Sequence, residues 1–273
     1  MTDEGHLVAV SDLHVRYPEN RTQLLAMEPA SPADWLLVAG DISERFAEVQ
    51  WTLEVLRSRF AKVFWAPGNH ELWTLPGDPV TLRGEERYQA LVAMCRSLGV
   101  VTPEDPYEIW TGHGGPLAIV PLFLLYDYTF LPSGAMTKEQ GLAKAEAAGI
   151  MCTDEVFLHP DPHPTREAWS AARLELTRPR LDALKVPTVL FGHWPLIRKP
   201  MDVLWHPEFV MWCGSVHTAD WHRRYRATAA VYGHLHIPRT FRQDDTEFHE
   251  VSLGYPQEWR RRSRPPSLPR RVL

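Results

Sequence analysis

The sequence contains few cysteines, no long apolar run and no broad excess of basic residues. Three cysteines among 273 residues, Cys95, Cys152 and Cys213, are too few and too scattered for a disulfide framework, so a reducing, cytoplasmic location is expected. The longest unbroken apolar stretch, 122–126, is far shorter than the roughly 20 residues of a membrane-spanning helix. The acidic start, 1–6, does not resemble a signal peptide. Membrane and secreted proteins are therefore not expected.

The charge of the chain is distributed unevenly. It carries 29 basic and 34 acidic residues, but the last fifteen residues, 259–273, contain six arginines and no acidic residue. The rest of the chain has 23 basic against 34 acidic residues, a net charge of −11, which argues against a nucleic-acid surface. Three prolines in 259–273 disfavour a helix, so this segment is predicted to be a flexible basic tail. Such a tail is either a solvated terminus or a handle for an acidic partner.

Short β-rich runs alternate with helical patterns in the first part of the chain. Apolar residues at three- and four-residue spacing predict helices around 20–27, 45–60 and 83–98. Further strands are predicted around 108–110, 117–123, 188–191, 229–232, 240–242 and 248–251. This order of elements predicts an α/β protein in which two sheets pack face to face, flanked by helices.

Five short polar blocks each follow one of the apolar runs. They are Asp12-Leu13-His14, Gly40-Asp41, Gly68-Asn69-His70-Glu71, Gly192-His193 and Gly233-His234-Leu235-His236. A short apolar run that ends in polar residues is typical of a buried strand reaching one edge of a sheet. Asp, Asn and Gly are also common in turns for backbone reasons, which would explain any single block. Five blocks in series instead predict side chains that converge on one site.

The residue types in these blocks point to a metal centre. Carboxylate, amide and imidazole groups suit Mn, Fe, Zn or similar divalent ions, and a carboxylate such as Asp41 can bridge two of them. Two ions about 3.5 to 4 Å apart polarise a phosphoryl oxygen, generate hydroxide and stabilise the leaving oxygen. The blocks therefore predict hydrolysis of a phosphoric ester by a two-metal centre.

The order D-x-H, G-D, G-N-H-E/D, H and G-H-x-H resembles the calcineurin-like metallophosphoesterase superfamily, and the match runs from Asp12 to His236 without a substituted block. The resemblance implies the two-sheet sandwich fold. It implies one metal ion held by Asp12, His14, Asp41 and His236, and a second held by Asp41, Asn69, His193 and His234. It also implies that Asp41 and His70 are catalytic, that Asn69 and His70 contact the substrate, and that His70 assists the leaving group or holds the phosphate.

Two further residues are compared with the same superfamily. Arg45 lies four residues after Asp41, the offset at which its serine/threonine phosphatases carry a phosphate-binding arginine, although the surrounding motif differs. His113 lies in a His-Gly-Gly sequence and competes with His193 as a metal ligand. His193 is preferred because it follows a clear strand.

The expected metallophosphoesterase domain covers 1–258 and precedes the tail. Between the third and fourth blocks, an insertion of about 126–184 contains no block and two predicted helices, 138–148 and 165–184. It forms either a cap over the metal centre or an outer helical layer. The loop 72–84 is a second candidate for substrate contact.

The substrate stays open, because two metals and a histidine serve both monoesters and diesters. The overall plan resembles bacterial metallophosphoesterases that act on small cytosolic esters, including ones that release phosphopantetheine from acyl carrier proteins. An acidic carrier protein would suit the arginine-rich tail. The alternatives are a cyclic-nucleotide phosphodiesterase and, in a different class, a non-catalytic interaction scaffold, against which the complete ligand set argues.

Overall fold

The computed structural model describes residues 5–262 and 267–273. These residues form ten strands: β1 (Leu7–Val10), β2 (Trp35–Val38), β3 (Lys62–Trp65), β4 (Glu108–Trp110), β5 (Leu117–Pro121), β6 (Thr188–Phe191), β7 (Ala227–Tyr232), β8 (Thr240–Gln243), β9 (Thr246–Glu250) and β10 (Arg270–Arg271). They also form nine α-helices: α1 (Pro18–Leu25), α2 (Phe46–Arg57), α3 (Asn69–Leu72), α4 (Gly84–Ser97), α5 (Lys138–Ala147), α6 (Asp154–Phe157), α7 (Arg166–Asp182), α8 (Trp221–Arg224) and α9 (Pro256–Trp259). Three 3-10 helices span Lys199–Val203, Pro207–Trp212 and Val216–Thr218.

The strands form two sheets whose central strands are parallel. The first sheet has the order β10-β1-β2-β3, and the second has the order β4-β5-β6-β7-β9-β8. Val10 pairs with Val38 and Val38 with Trp65, so β1, β2 and β3 end at the same level. Phe191 pairs with Pro121 and Val231 in the second sheet. Each sheet therefore presents the carboxyl ends of its central strands, and the polar blocks after them, at one edge.

The sheets pack against each other through alternate residues of their strands. One buried cluster contains inward-facing residues from both sheets: Ala9, Leu37, Phe64, Val189, Phe191 and Val231. The intervening residues, such as Leu36 and Leu190, belong to a second buried cluster that also contains Leu53 of α2 and Leu91 of α4. Because successive strand residues point to opposite faces, a strand covered on both faces is apolar throughout. The observed architecture is the predicted two-sheet sandwich flanked by helices.

The longer helices follow the predicted spacing, whereas their ends follow capping chemistry. Helix α1 begins at Pro18, two residues before the predicted start, because proline fits the first helical turn. Within the described ranges, no helix is both long and apolar enough to cross a membrane. The four-residue helices and the 3-10 helices were not predicted, since they are too short to show a periodic pattern.

The insertion 126–184 contains α5, α6 and α7. Helix α7 lies on the second sheet, where Ser170 Oγ donates to the Leu125 carbonyl (3.0 Å) and the Trp169 ring meets Phe123 edge-on (centroids 5.3 Å apart). The residues just before and at the start of α6 instead reach the edge that carries the polar blocks. One part of the insertion is thus an outer helical layer, and another part borders the predicted site.

The last residues of the predicted flexible tail form an edge strand of the first sheet. Arg270 and Arg271 pair antiparallel with β1 as the edge strand β10, and Val272 is buried (6% exposed). Arg270 Nη1 donates to the Glu250 carbonyl (2.6 Å). Pro269 directly precedes β10, a position that an edge strand tolerates. Residues 263–266, which include two of the three prolines, lie outside the described residues.

Candidate metal centre

Side chains from all five blocks meet at the common edge of the two sheets. In the first sheet, Asp12 and His14 follow β1, Asp41 follows β2 and Asn69 follows β3. In the second sheet, His193 follows β6, and His234 and His236 follow β7. Backbone hydrogen bonds join these segments: Asp12 N donates to the Gly40 carbonyl (2.9 Å), His14 N to Asp41 (3.0 Å) and Gly233 N to His193 (3.0 Å).

Five of the seven candidate ligands have a left-handed backbone. Their φ angles are 53° at Asp12, 39° at His14, 56° at Asp41, 71° at His234 and 54° at His236. Such angles are uncommon for residues other than glycine and concentrate at functional sites. They turn the chain sharply at the strand ends, so that the side chains project over the edge of the sheets.

Glu71 and Gly40 hold the second and third blocks together. Glu71 Oε2 accepts hydrogen bonds from Asp41 N and Gly68 N (both 2.9 Å), and its Oε1 accepts from Ile42 N (2.8 Å). Gly40 has φ 81°, and a Cβ atom there would lie 2.4 Å from Gly68 N. A side chain at position 40 would therefore push the Asp41 and Asn69 segments apart.

His193 lies at the centre of one group of ligand atoms. Its Nδ1 is 2.9 Å from the Ala39 carbonyl and must donate a proton there, which leaves Nε2 facing the site. The Asn69 amide is oriented by Asp154, because Asn69 Nδ2 donates to Asp154 Oδ1 (2.9 Å). His193 Nε2 then lies 3.0 Å from Asn69 Oδ1, 3.1 Å from His234 Nδ1 and 3.3 Å from Asp41 Oδ2. Donor atoms this close must share either a proton or a metal ion.

His236 lies at the centre of a second group. Its Nδ1 is 2.8 Å from Glu258 Oε2, so this nitrogen donates to the carboxylate and Nε2 faces the site. His236 Nε2 is 2.9 Å from Asp12 Oδ1 and 3.2 Å from His14 Nε2. Asp12 Oδ2 accepts hydrogen bonds from the Ser11 and Ser252 hydroxyls (2.6 and 2.7 Å), which leaves its other oxygen free for this group.

The histidines of the centre fall into two kinds, those with a lowered pKa and those with a raised pKa. Burial lowers the pKa of both His14 and His234 to about 3, so these rings are neutral donors. Burial also disfavours charge on His193, but the Asp41 and Asp12 carboxylates outweigh it and raise the pKa of His193 to about 9. Burial alone would raise the pKa of Asp41, yet His193 and His70 hold it below its usual value. The buried carboxylates thus remain charged, which suits a bound cation.

The donor set fits divalent metal ions. Ligand atoms of Asp12, His14 and His236 all lie within 4.8 Å of one another, as do those of Asp12, Asp41 and His193. Two ligand atoms about 2.1 Å from one ion and at right angles lie about 3 Å apart. The distances of 2.9 to 3.2 Å around His193 and His236 agree with that spacing. Imidazole and carboxylate together suit transition-metal ions.

His70 lies beside the ligand atoms and is held as a proton donor. Its Nδ1 is 2.9 Å from Glu44 Oε1, its backbone N–H donates to Asp41 Oδ1 (3.0 Å), and Trp73 stacks on its ring (centroids 3.8 Å apart). Burial disfavours the protonated ring, but Asp41 and Glu44 outweigh it and raise the pKa of His70. With Nδ1 turned to Glu44, a protonated His70 presents its Nε2 proton to the cleft.

A cleft of about 280 Å³ gives access to this centre. The insertion contributes Met151, Cys152 and Thr153 to its wall, and the 3-10 helix Pro207–Trp212 contributes Phe209. Tyr255 stacks on His14 with ring centroids 4.5 Å apart. The cleft is thus small and bounded by aromatic rings, with the ligand atoms at its base.

Comparison with known proteins identifies the family. A family model described as calcineurin-like phosphoesterase matches residues 5–238. The chain belongs to the calcineurin-like phosphoesterase family. This phosphoesterase is 54% identical over 272 residues to the acyl-carrier-protein phosphodiesterase PptH of Mycobacterium tuberculosis. The aligned region covers 99% of this chain and 84% of that protein. It also matches the crystal structure of phosphopantetheinyl hydrolase (PptH) from Mycobacterium tuberculosis, with a TM-score of 0.97 and 53% identity over 100% of this chain and 97% of that chain.

These comparisons confirm the predicted family and fold, and the phosphoesterase is a metal-dependent hydrolase of phosphoric esters. The structure brings all seven candidate ligands and His70 to one edge. His113, the competing histidine, is exposed in a turn away from that edge, where its carbonyl accepts from Trp110 Nε1 (3.0 Å).

Arg45 differs from its predicted place in the phosphoesterase. Its side chain is exposed and lines a separate cleft together with Arg16 and residues 75–80 of the predicted contact loop. Arg45 is the N-cap residue of α2. Glu44, one residue earlier, is the residue that reaches His70.

Three acidic residues at the phosphoesterase centre were missed by sequence reasoning. Glu44 and Glu258 hold the outer nitrogens of His70 and His236, and Asp154 holds the Asn69 amide. Glu44 lies three residues after Asp41, which was a usable signal. Glu258 lies in a short helix and Asp154 lies 85 positions from Asn69, so no local spacing pointed to them.

Proposed function

We propose that this phosphoesterase hydrolyses the phosphodiester that joins phosphopantetheine to acyl carrier protein. The observation that carries the proposal is the 54% identity, over nearly the whole chain, to a protein described as an acyl-carrier-protein phosphodiesterase. The intact ligand cluster supports the same conclusion, because a scaffold would not need it. The partner is therefore an acidic carrier protein, and the products are apo carrier protein and 4′-phosphopantetheine.

The proposal includes two divalent ions, Mn, Fe, Zn or similar. One would be held by Asp12, His14, Asp41 and His236, and the other by Asp41, Asn69, His193 and His234. The two groups of close ligand atoms, around His236 and around His193, support this division. Asp41 is the proposed bridge. The ions, when bound, polarise the phosphoryl oxygen and activate water.

The residues of the chain perform the remaining steps. Water would add its hydroxyl group to phosphorus and release its other proton to solvent, and the bond between phosphorus and the serine oxygen of the carrier would break. His70 delivers its Nε2 proton to that serine oxygen, while Glu44 stabilises the ring through Nδ1. Asn69, held by Asp154, keeps its oxygen directed at the centre. The phosphate stays on the pantetheine alcohol.

The insertion is proposed to act as a cap through its residues 151–154. Met151, Cys152 and Thr153 line the cleft, and Asp154 is bonded to Asn69 and Trp73 at the centre. A cap of this kind positions the ester and excludes water from the reacting atoms. A cytoplasmic location belongs to the same proposal and is supported by the three buried free cysteines, a state that reducing compartments preserve.

The test is to incubate the manganese-loaded protein with holo carrier protein and to measure the intact carrier mass and free 4′-phosphopantetheine. We expect conversion of holo to apo carrier, loss of that activity on chelation, and little activity for Asp41→Asn. Leu176→Ala, an exposed change on α7 outside the clefts, is the matched control and should behave as wild type.

Two results would contradict the proposal in different ways. Hydrolysis of an aryl phosphodiester without hydrolysis of holo carrier would indicate that the substrate is a small diester, such as a cyclic nucleotide. Failure to hydrolyse any ester, by protein shown to contain metal, would instead favour the scaffold alternative.

A further inference from the structure

A second pocket of about 400 Å³, here called the side pocket, opens directly from the catalytic cleft. The two share four lining residues, Phe209, Leu235, His236 and Glu258. The side pocket therefore begins at His236 in the centre. His70 lines the cleft but not the side pocket, so the two lie on different sides of the ligand atoms. Nothing in the hydrolytic steps above uses the side pocket.

The walls of the side pocket are mostly apolar. Leu204 and Ile237 line it beyond the shared residues, and Trp205 stands at its rim with 91% of its surface exposed. Trp205 lines the same pocket as Leu204 and Ile237, so its exposed ring extends their apolar wall, and contiguous apolar surface of this kind marks a binding site. The apolar walls suit a flexible chain of methylene and methyl groups.

Two arginines add hydrogen-bond donors to this apolar surface. Arg262 Nη2 donates to the His236 carbonyl (2.7 Å), which fixes the guanidinium at the pocket wall. Its Nη1 is buried, and no acceptor for it is present among residues 5–262 and 267–273. Arg261 is exposed at the same pocket. Because Arg261 is exposed, its guanidinium is the donor that the amide carbonyls of a ligand would reach.

We propose that the side pocket binds the alcohol arm of the phosphodiester, an extended chain of the pantetheine type. This inference rests on the proposed function. The phosphate at the centre has two ester substituents, and the carrier serine must lie at His70, which protonates it. The other substituent must leave the centre on another side, and the side pocket starts there. Its volume of about 400 Å³ lies within the usual range of small-molecule sites, about 300 to 1,000 Å³.

The experiment measures inhibition of aryl phosphodiester hydrolysis by 4′-phosphopantetheine and by inorganic phosphate in the manganese-loaded protein. Both contain the phosphate group, and only the first contains the arm. We expect 4′-phosphopantetheine to have the lower inhibition constant. In Trp205→Ala, the ratio of the two constants should move about fivefold closer to one, as expected for loss of an aromatic contact that the bound arm would cover. Leu204→Asp, which places a charge in the wall, should have the same effect, and Leu176→Ala should have none.

Equal inhibition constants for the two compounds in the wild type would overturn the inference, as would an unchanged ratio in both pocket variants. The outcome is separate from that of the carrier assay. If holo carrier is hydrolysed and the ratio is unchanged, the proposed function stands and the side pocket does not bind the arm. If the ratio changes but holo carrier is not hydrolysed, the side pocket binds the arm and the carrier proposal fails.

Discussion

Replacing Asp154 by alanine is expected to weaken metal binding although Asp154 is not a proposed ligand. Its Oδ1 accepts hydrogen bonds from Asn69 Nδ2 (2.9 Å) and Trp73 Nε1 (2.6 Å) in a fully buried position. Without that acceptor, the Asn69 amide is free to rotate its oxygen away from His193, and the Trp73 indole that stacks on His70 loses its anchor. One substitution therefore disturbs both the ligand group and the proton donor.

The magnitude follows from the hydrogen bonds that are lost. Two buried donors are left without an acceptor, each at about 1 to 3 kcal/mol. Burial raises the pKa of Asp154, so removal of the carboxyl group also relieves some desolvation. We expect a net loss of about 2 to 4 kcal/mol in the free energy of unfolding. Loss of a group that orients a metal ligand commonly reduces metal affinity by about 10- to 100-fold.

The assay is a manganese titration of metal-free protein followed by calorimetry, with thermal unfolding measured on the same samples. Asp154→Asn retains a carbonyl oxygen that can accept from both donors and should restore affinity to within about threefold of wild type. Trp73→Phe keeps the bond between Asp154 and Asn69 and should affect kcat more than metal affinity. The reasoning is refuted if folded Asp154→Ala binds manganese like wild type, or if Asp154→Asn loses as much affinity as alanine.

Two further predictions concern proton delivery and metal removal. His70→Ala should retain its metal content and lose about 10²- to 10⁴-fold in kcat, and metal loss in the folded variant would contradict the assigned role. Glu44→Gln removes a carboxylate that raises the pKa of His70, so the pH above which kcat declines should move lower; an unchanged pH–rate profile would contradict this. Chelation should lower the Tm, since metal at 100 times its Kd stabilises the fold by about 2.7 kcal/mol. This decrease in Tm should be smaller in Asp41→Asn, and an equal decrease in both proteins would count against metal binding at this centre.

The parts of the fold that could be predicted are those with a local sequence signature. The strands before Asp12, Asp41 and His193 are short apolar runs, and parallel pairing brings their ends together. The order of the five blocks thus indicated both the edge and the ligands that meet there. The edge strand β10 was not predictable, because two residues cannot show an alternating pattern and its partner β1 lies at the opposite end of the chain.

The supporting acids depend on contacts between segments distant in sequence. The bond between Asn69 and Asp154 joins a block residue to an insertion that has no motif of its own. Arg45 lies at the offset of a phosphate-binding arginine, but its surrounding motif differs from that of the serine/threonine phosphatases and its side chain lines another cleft. Glu44, one residue earlier, contacts His70, whereas Arg45 is the N-cap of α2.

The left-handed backbone at five candidate ligands has a consequence for attempts to make this protein more heat-resistant. Each such residue costs about 1 kcal/mol or more, and glycine would adopt the same angles without that cost. Together the five positions lower the free energy of unfolding by roughly 5 kcal/mol. The whole net stability of a domain is about 5 to 15 kcal/mol. Screens that reward only the thermal stability of the metal-free protein would therefore favour replacement of Asp12, His14 and their counterparts. A library built on this scaffold retains its chemistry only if those five positions are held constant.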